Sequence, residues 1–300
     1  MSQEEAFDKL RQLDLKSTSQ DMISGLFRVI GEVPAVQTIL GINNIIVRTR
    51  IGRGYYTPQD LACAPISKCL YLQRATLPNE TAFYGCISDS NQQLEFGRMI
   101  GLYECSKLAR SKTEHIGRQY ITASQWKIVQ PLKCISFIND KTFPNTSDLS
   151  KQIRCIIETY KKEASNLTSI QKELGNFLTK EFCKHVEPNH NYEYLITATI
   201  IHDMLYADEY SYDAVLYPSV PVEGRFGINI VIKPDVVKKK LSLYRIINQS
   251  YFRTKTEKLL RIDSGYDNKH HLLSAEKQDD DENICRILGI NSLKELPIIE

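Results

Sequence analysis

Residues 212–229 read YDAVLYPSVPVEGRFGIN, and this stretch limits the fold more than any other part of the chain. An apolar strand from Ala214 to Tyr217 runs straight into Pro218 and then Ser219. Proline has no amide to donate, so a sheet ladder stops there or continues only at an edge. The continuation holds Gly224, Gly227 and Asn229. A strand that ends on proline and presents a hydroxyl, followed by a glycine-relaxed loop with an amide, builds a polar pocket at a sheet edge. Taken alone, the same residues serve equally well as a strand and an ordinary turn.

Three hundred residues allow one large domain or two small ones. A net charge of +2 gives no strong bulk attraction to nucleic acid or to a membrane surface. The eight cysteines contain no C-x-x-C pair, which leaves a zinc ribbon or a thioredoxin-type motif without support. Cys69, Cys86 and Cys134 sit in apolar runs and read as small buried hydrophobes. MSQEEAFDKL at the start lacks the pattern of a signal peptide, and no apolar run approaches a membrane span. A reducing, cytoplasmic setting is the expectation, with no metal and no membrane.

The hydrophobic pattern predicts an α+β chain. Helical spacing marks 3–31, with Ser19 or Asp21 as a cap, then Glu95 to Leu108, two helices within 148–185, and Tyr192 to Tyr206. Strands are expected at Ile45 to Arg50, Lys68 to Gln73, Ala82 to Ile87, Trp126 to Val129, Lys133 to Phe137, Ala214 to Tyr217 and Ile228 to Ile232. After Pro234 the chain turns basic (VVKKKLSLYR) and then alternates through Leu243, Arg245, Ile247 and Tyr251, the pattern of an edge strand or hairpin, its lysines blocking edge pairing. A short helix is expected near Ile284. The linear division is an N-terminal helical segment (1–40), a main domain (41–260) with a helical insertion at about 148–190, and a C-terminal tail (261–300).

The polar residues of RATLPNETAFYG, Arg74 to Gly85, suit the binding of a dinucleotide. Arginine offers a planar fork for phosphate. Tyrosine offers a stacking face and a hydroxyl. A carboxylate on the following helix, Glu104, can stabilise positive charge growing on a sugar carbon as a glycosidic bond opens. Arg48, Ser219 and Asn229 complete the set. Each residue also has a bland role: Arg48 or Arg50 as a surface cation, Tyr84 in the core, Glu104 on a solvated helix, Ser219 in a turn. His202 lies on an apolar helix stripe and reads as a satisfied core histidine. There is no P-loop, no G-x-G-x-x-G and no G-x-S-x-G.

Four segments in this order, VRTR (Val47 to Arg50), RATLPNETAFYG, GRMIGLYECSKL (Gly97 to Leu108) and YDAVLYPSV with GIN, resemble the RES-domain family. The resemblance implies a mixed, mostly antiparallel sheet like that of ADP-ribosyltransferases. It implies an NAD-degrading toxin, with NAD as substrate and no cofactor, and an antitoxin as partner; a homo-oligomer is left open. By the same resemblance, Arg74, Glu104 and Ser219 are the catalytic set, and Arg48, Tyr84 and Asn229 bind substrate. Many members carry Gly-Arg-x-Asn in the first loop, where this chain has Gln73, Arg74, Ala75 and Thr76, so one ligand contact is missing. Glu95 stands beside Glu104 as the alternative acid. Water, phosphate or a macromolecule remains open as acceptor, and a non-catalytic partner-binding module is the competing class.

Overall fold

The computed structural model describes residues 1–42, 44–88, 94–111, 115–138, 151–187, 189–206, 212–219, 227–267, 269, 271–273 and 280–299. In chain order the elements begin α1 (Gln3–Arg11), α2 (Gln20–Ile30), β1 (Val36–Leu40), β2 (Ile45–Ile51), α3 (Pro58–Leu61), β3 (Phe83–Ser88), α4 (Leu94–Cys105) and α5 (Lys107–Arg110). There follow β4 (Gly117–Ile128), β5 (Leu132–Ser136), α6 (Lys151–Glu163), α7 (Ser169–Cys183), α8 (Leu195–Tyr206), β6 (Ala214–Pro218) and β7 (Ile228–Ile232). The chain closes with α9 (Pro234–Lys240), β8 (Leu241–Arg253), β9 (Lys258–Asp267), β10 (Leu272–Leu273) and α10 (Asp281–Leu288). The class is α+β, and the strand pairing is mixed but mostly antiparallel.

Two compact units share the chain. One comprises Met1–Ile42, Cys63–Tyr84 and Gln130–Lys240; the other comprises Asn43–Ala62, Gly85–Val129 and Leu241–Glu300. This division cuts across the linear segments expected from sequence. The N-terminal helices share a unit with the helical insertion, and the C-terminal tail belongs to the other unit.

In the first unit, the strand order is β1-β5-β6-β7. β1 and β5 are antiparallel, β5 and β6 parallel, β6 and β7 antiparallel. Helix α1 starts at a capping box, in which Ser2 accepts from the Glu5 amide while the Glu5 carboxylate accepts from the Ser2 amide. Ser19 caps α2 by accepting from the Met22 amide. Ile23, Leu26, Phe27 and Ile30 of α2 are buried in one core with Leu174, Leu178 and Phe182 of α7 and Ala198, Ile201 and Leu205 of α8. Each such side chain contributes about 1.5–3 kcal/mol by leaving water. Val215, Tyr217 and Val231 supply the sheet side of that core.

In the second unit, the strand order is β3-β2-β4-β8-β9-β10, antiparallel throughout. Side chains alternate between its two faces. Val47, Thr49 and Ile51 of β2 share a face with Ile121 and Ala123 of β4 and with Ile247, Gln249 and Tyr251 of β8, as their register requires. Helices α4 and α5 lie on this face, Leu102, Leu108 and Ala109 packing on Ile121 and Tyr251. Residue 101 of α4 must be glycine, because an added Cβ would stand 2.8 Å from the Thr49 Cβ. The opposite face carries Phe252, which packs on Ile284 and Leu288 of α10.

Four local expectations change. Residues 68–73 form no strand; Ile66–Lys68 is a 3₁₀ turn, and Gln73 and Thr76 form an isolated bridge. The lysines at 238–240 lie on helix α9 rather than on an edge strand, and Lys240 pairs with Asp213 at 2.7 Å. Proline at the first helical position and Asp235 in the first turn start that helix. The helix expected over 95–108 breaks at Ser106, whose hydroxyl accepts from the Ala109 amide and restarts it as α5. Strand β4 extends upstream to Gly117, through polar residues that gave no alternating signal.

Gly101→Ala forces α4 off β2, and overpacking of this kind costs about 1–3 kcal/mol. The expected result is a lower unfolding midpoint, recovered in part by combining it with Thr49→Ala. Equal midpoints for Gly101→Ala and the parent would contradict this packing.

Candidate functional site

The first unit holds Arg74, Tyr84, Ser219 and Asn229. Asn229 faces Tyr217 across the β6–β7 ladder, and the Ser219 amide donates to the Gly227 carbonyl at 3.2 Å. Residues two apart on a strand, or directly opposite, leave the same face. Ser219 and Asn229 therefore share the face of Val215, Tyr217 and Val231, toward the helical core. Ser219 is fully buried, and Asn229 is 5% exposed. The loop between them, with Gly224, lies outside the described residues.

Arg74 has a structural partner that sequence could not show. One terminal nitrogen donates to the carbonyls of Glu181 and Phe182, at 3.3 and 2.7 Å. The other donates to the Lys184 carbonyl at 2.8 Å and reaches the Tyr194 hydroxyl at 3.5 Å. The guanidinium also lies 4.8 Å from the Tyr194 ring centroid. These carbonyls close α7, where a cation complements the negative end of the helix. The Phe182 ring in turn stacks on Tyr217 at 5.6 Å. Arg74 thus joins its loop to the core that Tyr217 enters from the sheet.

The same loop carries Tyr84, whose hydroxyl meets Thr76 Oγ1 at 2.9 Å. Asn79 adopts φ 64°, the left-handed conformation for which asparagine is suited. Glu80 closes the turn by accepting from the Leu77 amide and pairs with His202 Nδ1 at 2.5 Å. His202 is satisfied, as its helical position suggested, but by a loop carboxylate and with a third of its side chain exposed. No sequence spacing pointed to Glu80, since the partners are 122 residues apart.

The second unit holds Arg48 and Glu104. Arg48 stands opposite Ser124 on β4, whose hydroxyl donates to the Arg48 carbonyl. Strand alternation sends Arg48 and Arg50 to the face opposite Thr49, away from α4. Arg50 donates to the Ala62 carbonyl at the end of α3. Glu104 lies in the last turn of α4, where Arg110 donates to the carbonyls of Tyr103 and Glu104. Arg48 thus leaves the face away from the helix that carries Glu104, yet both charges act on the same thiols. Burial pushes the Cys86 thiol well up, Glu104 pushes it further, and Arg48 opposes. Burial pushes Cys105 up to about 12. Glu95 belongs to the first turn of α4, and its side chain lies outside the described residues.

These surroundings keep Cys86 and Cys105 protonated, which excludes them as thiolate nucleophiles near neutral pH. Alkylation of the native protein at pH 8 is expected to spare the buried Cys86 and to reach it only after unfolding; rapid native labelling of Cys86 would contradict the burial. Arg74→Ala removes charge-assisted bonds worth about 1.5–3 kcal/mol each before relaxation. It is expected to lower the unfolding midpoint whatever the ligand, and an unchanged midpoint would show that the α7 closure is dispensable. No family model matches this chain, and no curated protein is significantly similar to it.

Proposed function

We propose that this protein consumes NAD by breaking its nicotinamide–ribose bond, inside the cell and under the control of a neutralising partner. The observation that carries the reading is the burial of the Ser219 hydroxyl and the Asn229 amide together, on one face at the proline end of β6. A hydroxyl and an amide side by side at a strand end are the polar pair that a pocket at a sheet edge needs. The order of the four segments supplies the class of chemistry.

By the family resemblance, Glu104 is the acid that stabilises positive charge as nicotinamide leaves, and Arg48 is a phosphate ligand. Within the first unit, Ser219 hydrogen-bonds the ribose, Asn229 supports that wall and Tyr84 lines the nicotinamide side. Nicotinamide is already a good leaving group, so no strong general acid is needed. Arg74 acts by positioning the Thr76–Tyr84 loop.

A second reading has a specific observation in its favour. The terminal nitrogens of Arg74 are already engaged by backbone carbonyls and Tyr194, so the phosphate fork implied by the family resemblance is in use. A non-catalytic module fits that arrangement. Incubation of the purified chain with NAD, followed by chromatography for nicotinamide, separates the two. Release by the parent, with at least about a hundredfold loss in Glu104→Gln and Ser219→Ala at unchanged folding, is the expected result. Undiminished turnover in both variants would remove the site assignment, and absence of release would favour the module.

A further inference from the structure

Arg245 on β8 makes no hydrogen bond or ion pair among the described residues, and its Nε is buried. A buried guanidinium nitrogen without an acceptor is costly. Four residues along the strand on the same face, Gln249 is 1% exposed, and neither atom of its amide has a partner among the described residues. Gln125, directly opposite Arg245 on β4, also has an unpartnered buried Oε1. Native interiors satisfy such groups, so their concentration on one face calls for an occupant.

The register shows where the occupant fits. Ile247, between Arg245 and Gln249, pairs with Gly265 of β9. A Cβ added to Gly265 would stand 3.5 Å from Arg245 Nη2 and 3.7 Å from Nε. Those two nitrogens form the edge of the guanidinium that accommodates two oxygens of one carboxylate or phosphate. The edge thus faces a position on β9 that carries no side chain. Asp267, opposite Arg245, accepts instead from the amides of Lys269 and His271 and meets the His271 ring. Its charge is already answered.

We propose that this face of the second unit binds a small oxyanion, a carboxylate or phosphate group, over Gly265 between Arg245 and Gln249. Arg245 holds two of its oxygens through Nε and Nη2. The Gln249 amide donates to a third oxygen of a phosphate, or to the remaining lone pair of one carboxylate oxygen. The site uses none of the residues assigned to NAD and stands or falls independently of that reading.

The test is thermal unfolding of the intact chain in inorganic phosphate, in acetate and in chloride at equal ionic strength. A saturable rise in midpoint with phosphate or acetate over chloride is expected, and the more effective anion identifies the group. Gly265→Ala keeps every polar group, places its methyl at ordinary contact distance and occupies the space. It should fold as the parent does and bind the anion at least tenfold more weakly. Gln249→Leu should unfold no lower than the parent in chloride and lose the anion's shift. No saturable shift with either anion, or the same shift in the parent and both variants, would overturn the proposal.

Discussion

Helix α4 lies on β2 because residue 101 has no side chain where Thr49 projects. That approach decides which face of the second unit's sheet is interior to the helix layer. Once α4 is seated, Ser106 reaches Gln119 on the same face, and Leu108 offers its carbonyl to Arg253. Alternation does the rest. Arg48, Arg50, Thr122 and Asn248 fall on the other face, where Thr122 bonds both the Gly52 carbonyl and Asn248. A one-residue slip of β2 would exchange the two sets and bury two arginines under a helix.

The first unit relies on a different device. Its loop from Gln73 to Ala82 has little regular structure and is held at its ends and middle by polar contacts. Arg74 binds the end of α7, Thr76 binds Tyr84, and Glu80 binds His202 on α8. A loop tied to two helices loses its backbone freedom on folding and needs these bonds to offset the cost. The polar residues that mark a ligand loop in sequence are in large part the ones that fasten it.

Charge on the helices follows the same economy of position. Lys240 answers Asp213, which also accepts from the Lys133 amide. The basic run at 238–240 therefore has a partner in the fold, and solubility is not its sole task. Among the described residues, no helix is long and apolar enough to cross a membrane.

Periodicity was enough to locate α1, α2, α7, α8, β2, β6 and β7, because each buries a regular stripe or an unbroken apolar run. It failed at β4, where buried Thr122 and Ser124 bond neighbouring strands and Gln119 bonds Ser106 of the helix layer. It failed again at α9, where a helix start outweighed an alternating pattern. The nature of the polar side chains at 74, 84, 219 and 229 was written in the chain, and so was the asparagine that takes the left-handed turn at 79. Their partners were not. Arg74 meets carbonyls more than a hundred residues away, Arg48 leaves the sheet face away from the helix that carries Glu104, and Arg245 faces an empty position on β9. Local sequence sets which way a side chain leaves its own element; what it then meets depends on elements brought together only by packing.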